Sequence, residues 1–394
     1  MRILRVIAGM NPESGGPVAG LLSSTAELAQ RGHETEAVTL DPPDAPFLAA
    51  CPFPVAACGA RKVLPKLTYS AAFLEWIRQN AHRFDVAVIH GLWNFASVGG
   101  WRALTQAGLP YVLFSHGMMD PWFRQAYPAK HWAKQAFWLL QGRALRDAHR
   151  VLFTSEEERR LSEPVFFGYR FRGQVIAYGV APSADDPASL ERSRVAAAAA
   201  VPGLAGRPYL LYLSRIHEKK GCDLLIDAFG KVAVTAGDLQ LVMAGPDHTG
   251  LVPQLRARAE KAGVAGRIHW PGMLTGDAKA GALRSARAFV LPSHQENFGI
   301  AVAEALAAGT PVLISDKVNI WREVEAAGAG LVAPDTLEGT EQLLARFLSL
   351  DPSASAALQA AARPCYDGNF SVGRAAEDLE RVLTEAAATQ SGPE

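Results

Sequence analysis

The 394-residue sequence contains no apolar run of the roughly 18 residues that a membrane-crossing helix needs. Cysteine is scarce. Cys51, Cys58, Cys222 and Cys365 are scattered, with no C-x-x-C and no zinc-type spacing, so reduced thiols are expected rather than a disulfide framework. Neither charge sign is in excess: Lys plus Arg and Asp plus Glu each number 39, so no global field points to nucleic acid. A G-x-G-x-x-G fingerprint is missing, which counts against a dinucleotide enzyme. No acidic triad or His/Cys cluster has metal-ligand spacing. The opening MRILRVIAGMNPESGG holds only a short apolar run and reads as a strand, not a signal peptide.

What is present is an alternation of short apolar strands and helical segments. Residues 3–7 read as a strand, 18–31 as a helix with Leu21, Thr25 and Leu28 on one face, and 36–40 as a second strand. Further strands are expected at 85–90, 111–115, 150–154 and 174–177, then at 209–213, 239–244, 267–270, 289–291 and 312–314. Helices are expected to start at Ser155 and to occupy 192–200, 223–234, 300–308, 337–348, 353–362 and 372–388. Strand–helix alternation predicts parallel sheets and an α/β class. The Ala-, Ser- and Pro-rich stretch 181–208 contains the interdomain connection, so the expected domains are 1–180 and 181–371. Residues 389–394 are expected to be disordered.

The most informative stretch is 289–315, FVLPSHQENFGIAVAEALAAGTPVLIS. It reads as strand, loop, short helix stopped by Gly309, and strand again. Glu296 lies in the loop ahead of the helix and Glu304 lies inside it. Between them, Phe298, Gly299 and Ile300 provide the amides of a helix start, which is an anion site. At ~1.5 Å per residue, Glu304 falls one to two turns below that site. The order suits a sugar above a diphosphate and a ribose below it. The plainer alternative is two acids that only answer the helix dipole or face solvent. A second basic feature, Arg215 and Lys220, flanks a strand-to-helix loop, where two cations could meet the charge that builds on a leaving diphosphate.

The string Glu296-x7-Glu304 with Phe-Gly after the first Glu, then Glu-Ala-x-Ala-x-Gly-x-Pro-Val, closely resembles the nucleotide-sugar site of the retaining glycosyltransferases of family 4. The resemblance is strongest over about 209–333 and weaker over 1–180. It implies the GT-B arrangement, two doubly wound Rossmann-like domains facing each other across a cleft, with the helix 372–388 crossing back to the first domain. It implies that Glu296 binds sugar hydroxyls, that the helix start binds phosphate and that Glu304 binds ribose. Arg215 and Lys220 ahead of Leu-Leu-Ile-x-Ala-Phe would be the diphosphate clamp. Gly15 and Gly16 would approach the donor, His116 would contact the donor sugar, and Gly245 and the loop holding Met273 would lie against the nucleotide. Two positions depart from the family pattern: Asn297 and Ser214 stand where Gly is usual.

The implied activity is transfer of a sugar from a nucleotide-diphosphate sugar to a hydroxyl acceptor, with retained configuration. No cofactor and no metal are expected, since Arg215, Lys220 and the helix start would supply the positive charge. No enzymic nucleophile is evident, so a same-face route is expected, in which the leaving phosphate accepts the acceptor's proton. The acceptor side is expected in the first domain, with His90, Trp93 and Asp120 as candidates. Residues 122–150 mix Trp122, Phe123, Tyr127, Trp132, Phe137 and Trp138 with six bases and one acid, Asp147. That mixture suits either a peripheral contact with an anionic membrane surface or an ordinary helix pair with its aromatics in the core. A lipid-linked saccharide and a cytoplasmic enzyme on the inner face of the membrane fit the first. Two other readings remain: a sugar-nucleotide 2-epimerase, which lacks the Glu-x7-Glu pattern, and a non-catalytic sugar-nucleotide binder.

Overall fold

The structure, a computed structural model, describes residues 1–12, 16–64, 67–122, 124 and 128–389. Gly15, Phe123, Tyr127 and 390–394 therefore lie outside the described residues. The chain divides into two compact units, Met1–Gly179 with Val372–Glu394, and Val180–Ser371.

The first unit is built from β1 (Arg2–Val6), α1 (Gly16–Gln30), β2 (Glu34–Thr39), β3 (Val55–Ala57), β4 (Arg61–Leu64), β5 (Leu67–Tyr69), α2 (Ala71–Asn80), β6 (Val86–His90), α3 (Phe95–Gln106), β7 (Tyr111–Phe114), α4 (Pro128–Arg146), β8 (Val151–Phe153), α5 (Glu156–Ser162) and β9 (Gly173–Val175). Seven strands form a parallel sheet in the order β3-β2-β1-β6-β7-β8-β9, while β4 and β5 pair as a separate antiparallel hairpin. The strands are near-continuous apolar runs because helices cover both faces. Leu4, Val6, Ala87, Ile89 and Leu113 pack on one face; Ile3, Val86, Val88 and Val112 pack on the other with Leu28 of α1.

The second unit runs α6 (Pro187–Ala200), β10 (Tyr209–Leu213), α7 (Cys222–Val232), β11 (Gln240–Ala244), α8 (Val252–Lys261), β12 (Ile268–Gly272), α9 (Gly276–Ser285), β13 (Ala288–Leu291), α10 (Ile300–Ala307), β14 (Val312–Ser315), α11 (Trp321–Ala326), β15 (Gly330–Ala333), α12 (Leu337–Leu348) and α13 (Pro352–Asn369). Its six parallel strands are ordered β12-β11-β10-β13-β14-β15. The last helix, α14 (Val372–Ala388), returns to the first unit. Leu379, Val382 and Leu383 complete the face that holds Ile3 and Leu28, and Glu380 pairs with Arg31 at 3.2 Å and His33 at 2.9 Å.

In each sheet the strand order reverses once, between β1 and β6 and between β10 and β13. Ligands of open α/β sheets bind at the carboxyl ends of strands at such a switch point. The loops that leave β10 and β13 carry Arg215, Lys220 and Glu296, and the loop that leaves β1 leads to Gly16.

Several elements extend beyond the sequence expectation. The helix expected at 353–362 runs on through Pro364 to Asn369, since one proline costs an internal helix one donor and a kink without ending it when both sides are packed. The helix expected at 192–200 begins at Pro187, with Asp186 as its N-cap: its carboxylate accepts from the Ser189 amide at 3.0 Å. The helices α2, α3, α8 and α9 and the strand β15 lie outside the elements expected from the sequence.

Candidate functional site

The second unit assembles its site from two loops that the fold stitches together. After β10 the chain makes a tight turn at Glu218–Lys220, and the Lys219 carbonyl accepts from the His294 amide at 2.8 Å and from Ser293 Oγ at 2.9 Å. Gly221 has φ +64°, and a Cβ there would fall 2.0 Å from the Pro292 carbonyl oxygen, so only glycine lets the loops approach this closely. Lys220 is buried, and its ammonium is ion-paired to Glu296 Oε2. The Glu296 backbone is itself held on both sides: its amide donates to Lys317 at 2.9 Å and its carbonyl accepts from Asn319 at 3.0 Å.

Glu296 leads directly into the start of α10. Gly299 is the N-cap at φ +81° and offers no capping side chain. The amides of Gly299 and Ile300 have no acceptor among the described residues, as an anion-binding helix start requires. Phe298 is buried edge-on against Phe370, with ring centres 5.6 Å apart. Asn297 is half-buried. One and a half turns into the helix, Glu304 Oε1 stands 2.6 Å from Lys279 Nζ of α9. Arg215 is exposed, and its guanidinium makes no ion pair among the described residues. Gly245 closes β11, its amide donating to the Gly272 carbonyl at 2.8 Å, and the adjacent Met273 is exposed.

The structure thus brings Lys220, Glu296 and the helix start together and separates the two expected clamp cations in character. The sequence suggested two equivalent charges. Arg215 is an exposed, unpaired guanidinium, whereas Lys220 is an enclosed ammonium already paired. A buried ammonium must have a counter-charge, and Glu296 provides it.

In the first unit, Gly16 opens α1 and its carbonyl accepts from the Tyr178 hydroxyl. His90 ends β6 and His116 follows β7. Their rings stack at 16°, with His90 Nδ1 3.1 Å from His116 Nε2, and Phe114 lies parallel to both. Burial pushes the His116 pKa down to about 4. His90 is lowered well below its ordinary value by burial first, then by His116 and by Arg5. Both rings are therefore neutral at pH 7, sharing one proton between the facing nitrogens. His90, expected on the acceptor side, is almost fully enclosed at the end of β6.

Trp93 is fixed into an aromatic cluster. Its Nε1 donates to the Met118 carbonyl at 3.0 Å, its amide donates to Gln141 Oε1 at 2.9 Å, and its ring lies 5.0 Å from Phe166. Asp120 is buried and accepts from the Trp122 amide at 2.8 Å. Sequence reasoning passed over three residues. Buried Glu158 accepts from Ser115 Oγ, the Gly117 amide, the Thr154 amide and Thr154 Oγ1 at 2.7–2.8 Å, and so holds the loop that carries His116 at φ +50°. Its signal was the Ser155-x-x-Glu158 helix start, read only as a cap. Lys279 had no local signal. Arg5 had one, a base inside an apolar strand.

Residues 199–363 match the family described as glycosyl transferases group 1, and residues 15–179 match the glycosyl transferase 4-like domain. Among curated relatives, the D-inositol 3-phosphate glycosyltransferase of Rhodococcus erythropolis is 25% identical over 392 residues, covering 95% of this chain and 87% of the relative. The phosphatidyl-myo-inositol mannosyltransferase of Mycobacterium leprae is 37% identical over 139 residues, 34% of this chain and 36% of its own length. Among solved structures, Anabaena Alr3699/HepE, crystallised in complex with UDP, superposes with a TM-score of 0.76 at 20% identity, covering 98% of this chain and 100% of that one, so the fold is the same.

Proposed function

This chain belongs to the group 1 glycosyl transferases, and we propose that it is a retaining, metal-independent hexosyltransferase. Its reaction is sugar transfer from a nucleotide sugar. The observation that carries the finer reading is the Lys220–Glu296 ion pair beside the unpaired amides of Gly299 and Ile300. Amides and ammonium together make a fixed positive site for the diphosphate, with Arg215 free to close on it. Glu296 retains one oxygen for sugar hydroxyls beyond that site. Glu304, with Lys279 at its side, lies on the ribose side.

As the glycosidic C–O bond lengthens, negative charge grows on the departing phosphate oxygen. Donors already oriented towards it stabilise that charge without reorganisation. The acceptor hydroxyl attacks from the face the phosphate leaves, and its proton passes to that phosphate oxygen. Configuration is then retained with no enzymic nucleophile. The charge a metal ion would otherwise supply comes from Arg215, Lys220 and the helix start.

We also propose a lipid-linked saccharide acceptor reached at the inner face of a cytoplasmic membrane. Support comes from α4 and the loop beside it, where Trp132, Leu139 and Phe167 are 67%, 65% and 71% exposed among the bases Lys130 and Arg143. Trp138 of the same helix is enclosed, so the stretch 122–150 divides between core and surface. Among the described residues no helix is long and apolar enough to cross a membrane. A phospholipid-type acceptor in the name of the Mycobacterium leprae relative points the same way.

The test is incubation with a panel of nucleotide sugars, with and without candidate acceptors, in buffer containing EDTA. Acceptor-dependent release of a nucleoside diphosphate, with product and donor of the same anomeric configuration by NMR, is expected. An inverted product, or activity abolished by EDTA and restored by Mg²⁺ or Mn²⁺, overturns the corresponding part of the proposal.

A further inference from the structure

Three cations and an imidazole crowd one recess of the first unit. Arg124, Lys130, His131 and Lys134 line it, with Asp120 the one acid among the described residues of its wall. Asp120 already accepts from the Trp122 amide at 2.8 Å, so the cations face a carboxylate that is in part engaged. Lys130, His131 and Lys134 lie in the first two turns of α4, a helix without an acid along its whole length. The positive end of a helix disfavours cations, so the helix adds to the excess instead of offsetting it.

The groups are held close together. Lys134 is half-buried, its ammonium 4.8 Å from the centre of the Trp93 ring, and the His131 ring stacks on buried Phe166 with centres 5.1 Å apart. Burial and Lys130 lower the Lys134 pKa; burial, Arg124 and Lys134 lower that of His131. Like charges therefore repel one another in a partly dry site. Arg124 and Lys130 are exposed, which leaves the recess open to a ligand.

The recess leaves about 40 Å³ to the centre of a water-sized sphere. That is the space of about three waters, and a single phosphoryl group fits it. A phosphate monoester carries a charge of about −1.5 to −2 at pH 7 and three strong acceptor oxygens. It balances three cations set against one carboxylate, whereas a neutral hydroxyl ligand leaves the repulsion in place. A guanidinium beside ammonium groups is the donor set that binds phosphate. Trp93 follows β6 and Asp120 follows β7, so the recess lies beyond the carboxyl ends of two adjacent parallel strands, where ligands of open α/β sheets bind.

We propose that the acceptor carries a phosphate group, and that Arg124, Lys130, His131 and Lys134 bind it in this recess. Calling the ligand an acceptor rests on the transferase reading; the anion site itself does not. The two sources of such a phosphate are a soluble sugar phosphate and a lipid-linked saccharide.

With UDP present to occupy the donor site, the full chain is titrated calorimetrically with glucose 6-phosphate and with glucose. It is also sedimented with phosphatidylcholine vesicles holding phosphatidic acid or, at equal surface charge, phosphatidylglycerol. Binding of glucose 6-phosphate but not of glucose assigns the site to soluble phosphates. Preference for phosphatidic acid without binding of glucose 6-phosphate assigns it to a lipid-borne phosphate. In either case Lys134→Met and the exposed Arg124→Gln should each weaken binding about tenfold or more. The bound probe should also protect Lys130 and Lys134 from acetylation, read by mass spectrometry, while Lys231 reacts as before. No preference for a phosphate probe in either arm, or undiminished binding in Arg124→Gln, overturns the proposal. Equal kcat/KM for a phosphorylated acceptor and its neutral counterpart overturns it too and leaves the transferase reading standing. A chain that binds the probes and transfers no sugar removes that reading instead and keeps the anion site.

Discussion

The ammonium of Lys220 and the carboxylate of Glu296, 76 residues apart in sequence, form an ion pair at the edge of the helix start that leads into α10. The pair couples the loop after β10 to the loop after β13, so neither residue acts independently. Glu296→Ala strands a buried ammonium and should destabilise the chain by about 3 kcal/mol, whereas Glu296→Gln should cost less. In a double-mutant cycle with Lys220→Ala, urea unfolding should show a coupling of about 0.5–3 kcal/mol, and the turnover losses should be less than additive. Arg215→Ala, by contrast, should lower turnover and leave stability within about 0.5 kcal/mol. Strict additivity of the first pair would mean that the two loops are not energetically joined.

Glu304 and Lys279 form the second pair. Removing the carboxylate should weaken nucleoside diphosphate binding itself, by about 1.5–3 kcal/mol if charge-assisted hydrogen bonds to ribose are lost. Glu296→Gln should leave that affinity nearly unchanged, because its proposed partner is the sugar. Calorimetry with UDP and GDP separates the two. Unaltered affinity in Glu304→Ala would reduce Glu304 to a partner for Lys279.

The histidine pair predicts a pH dependence of stability. His116 has a folded-state pKa of about 4 against an ordinary 6.5, so the unfolded chain binds more protons between those values. Stability is therefore complete above pH 6.5 and is lost as pH falls towards 4. Between pH 7 and 5 this one group should account for a loss on the order of 1–2 kcal/mol, absent in His116→Gln. Urea midpoints at the two pH values check it. A variant with the same pH slope as the wild type would place the acid-sensitive group elsewhere.

Membrane contact makes a separate prediction. Each base near an anionic surface contributes about 1 kcal/mol, and salt screens it, while the exposed Trp132, Leu139 and Phe167 add a term that salt does not remove. Co-sedimentation with anionic vesicles should fall with salt and with combined Lys130→Glu and Lys134→Glu, and Trp132→Ser should lower the salt-resistant remainder. No sedimentation at low salt would withdraw the membrane-surface reading and leave the sugar-transfer chemistry untouched.

The sequence by itself determined the α/β class and the local order of residues in the candidate site. Short apolar runs such as Leu210–Tyr212, preceded by Pro208, read as strands buried on both faces, and Glu296-x7-Glu304 around a glycine-started helix is a local pattern. The bounds of the helix Val372–Ala388 were legible for the same reason, since its apolar stripe is periodic. Only the tertiary structure decided which charges meet. Lys220 with Glu296 and Lys279 with Glu304 are pairs across elements, and no spacing rule links residues brought together by two different strands of a sheet. The same holds for Glu158 beneath His116, for the split of the aromatic stretch into enclosed Trp138 and exposed Trp132, and for the unpaired state of Arg5. Burial and partners are properties of the packed core, which local pattern does not contain.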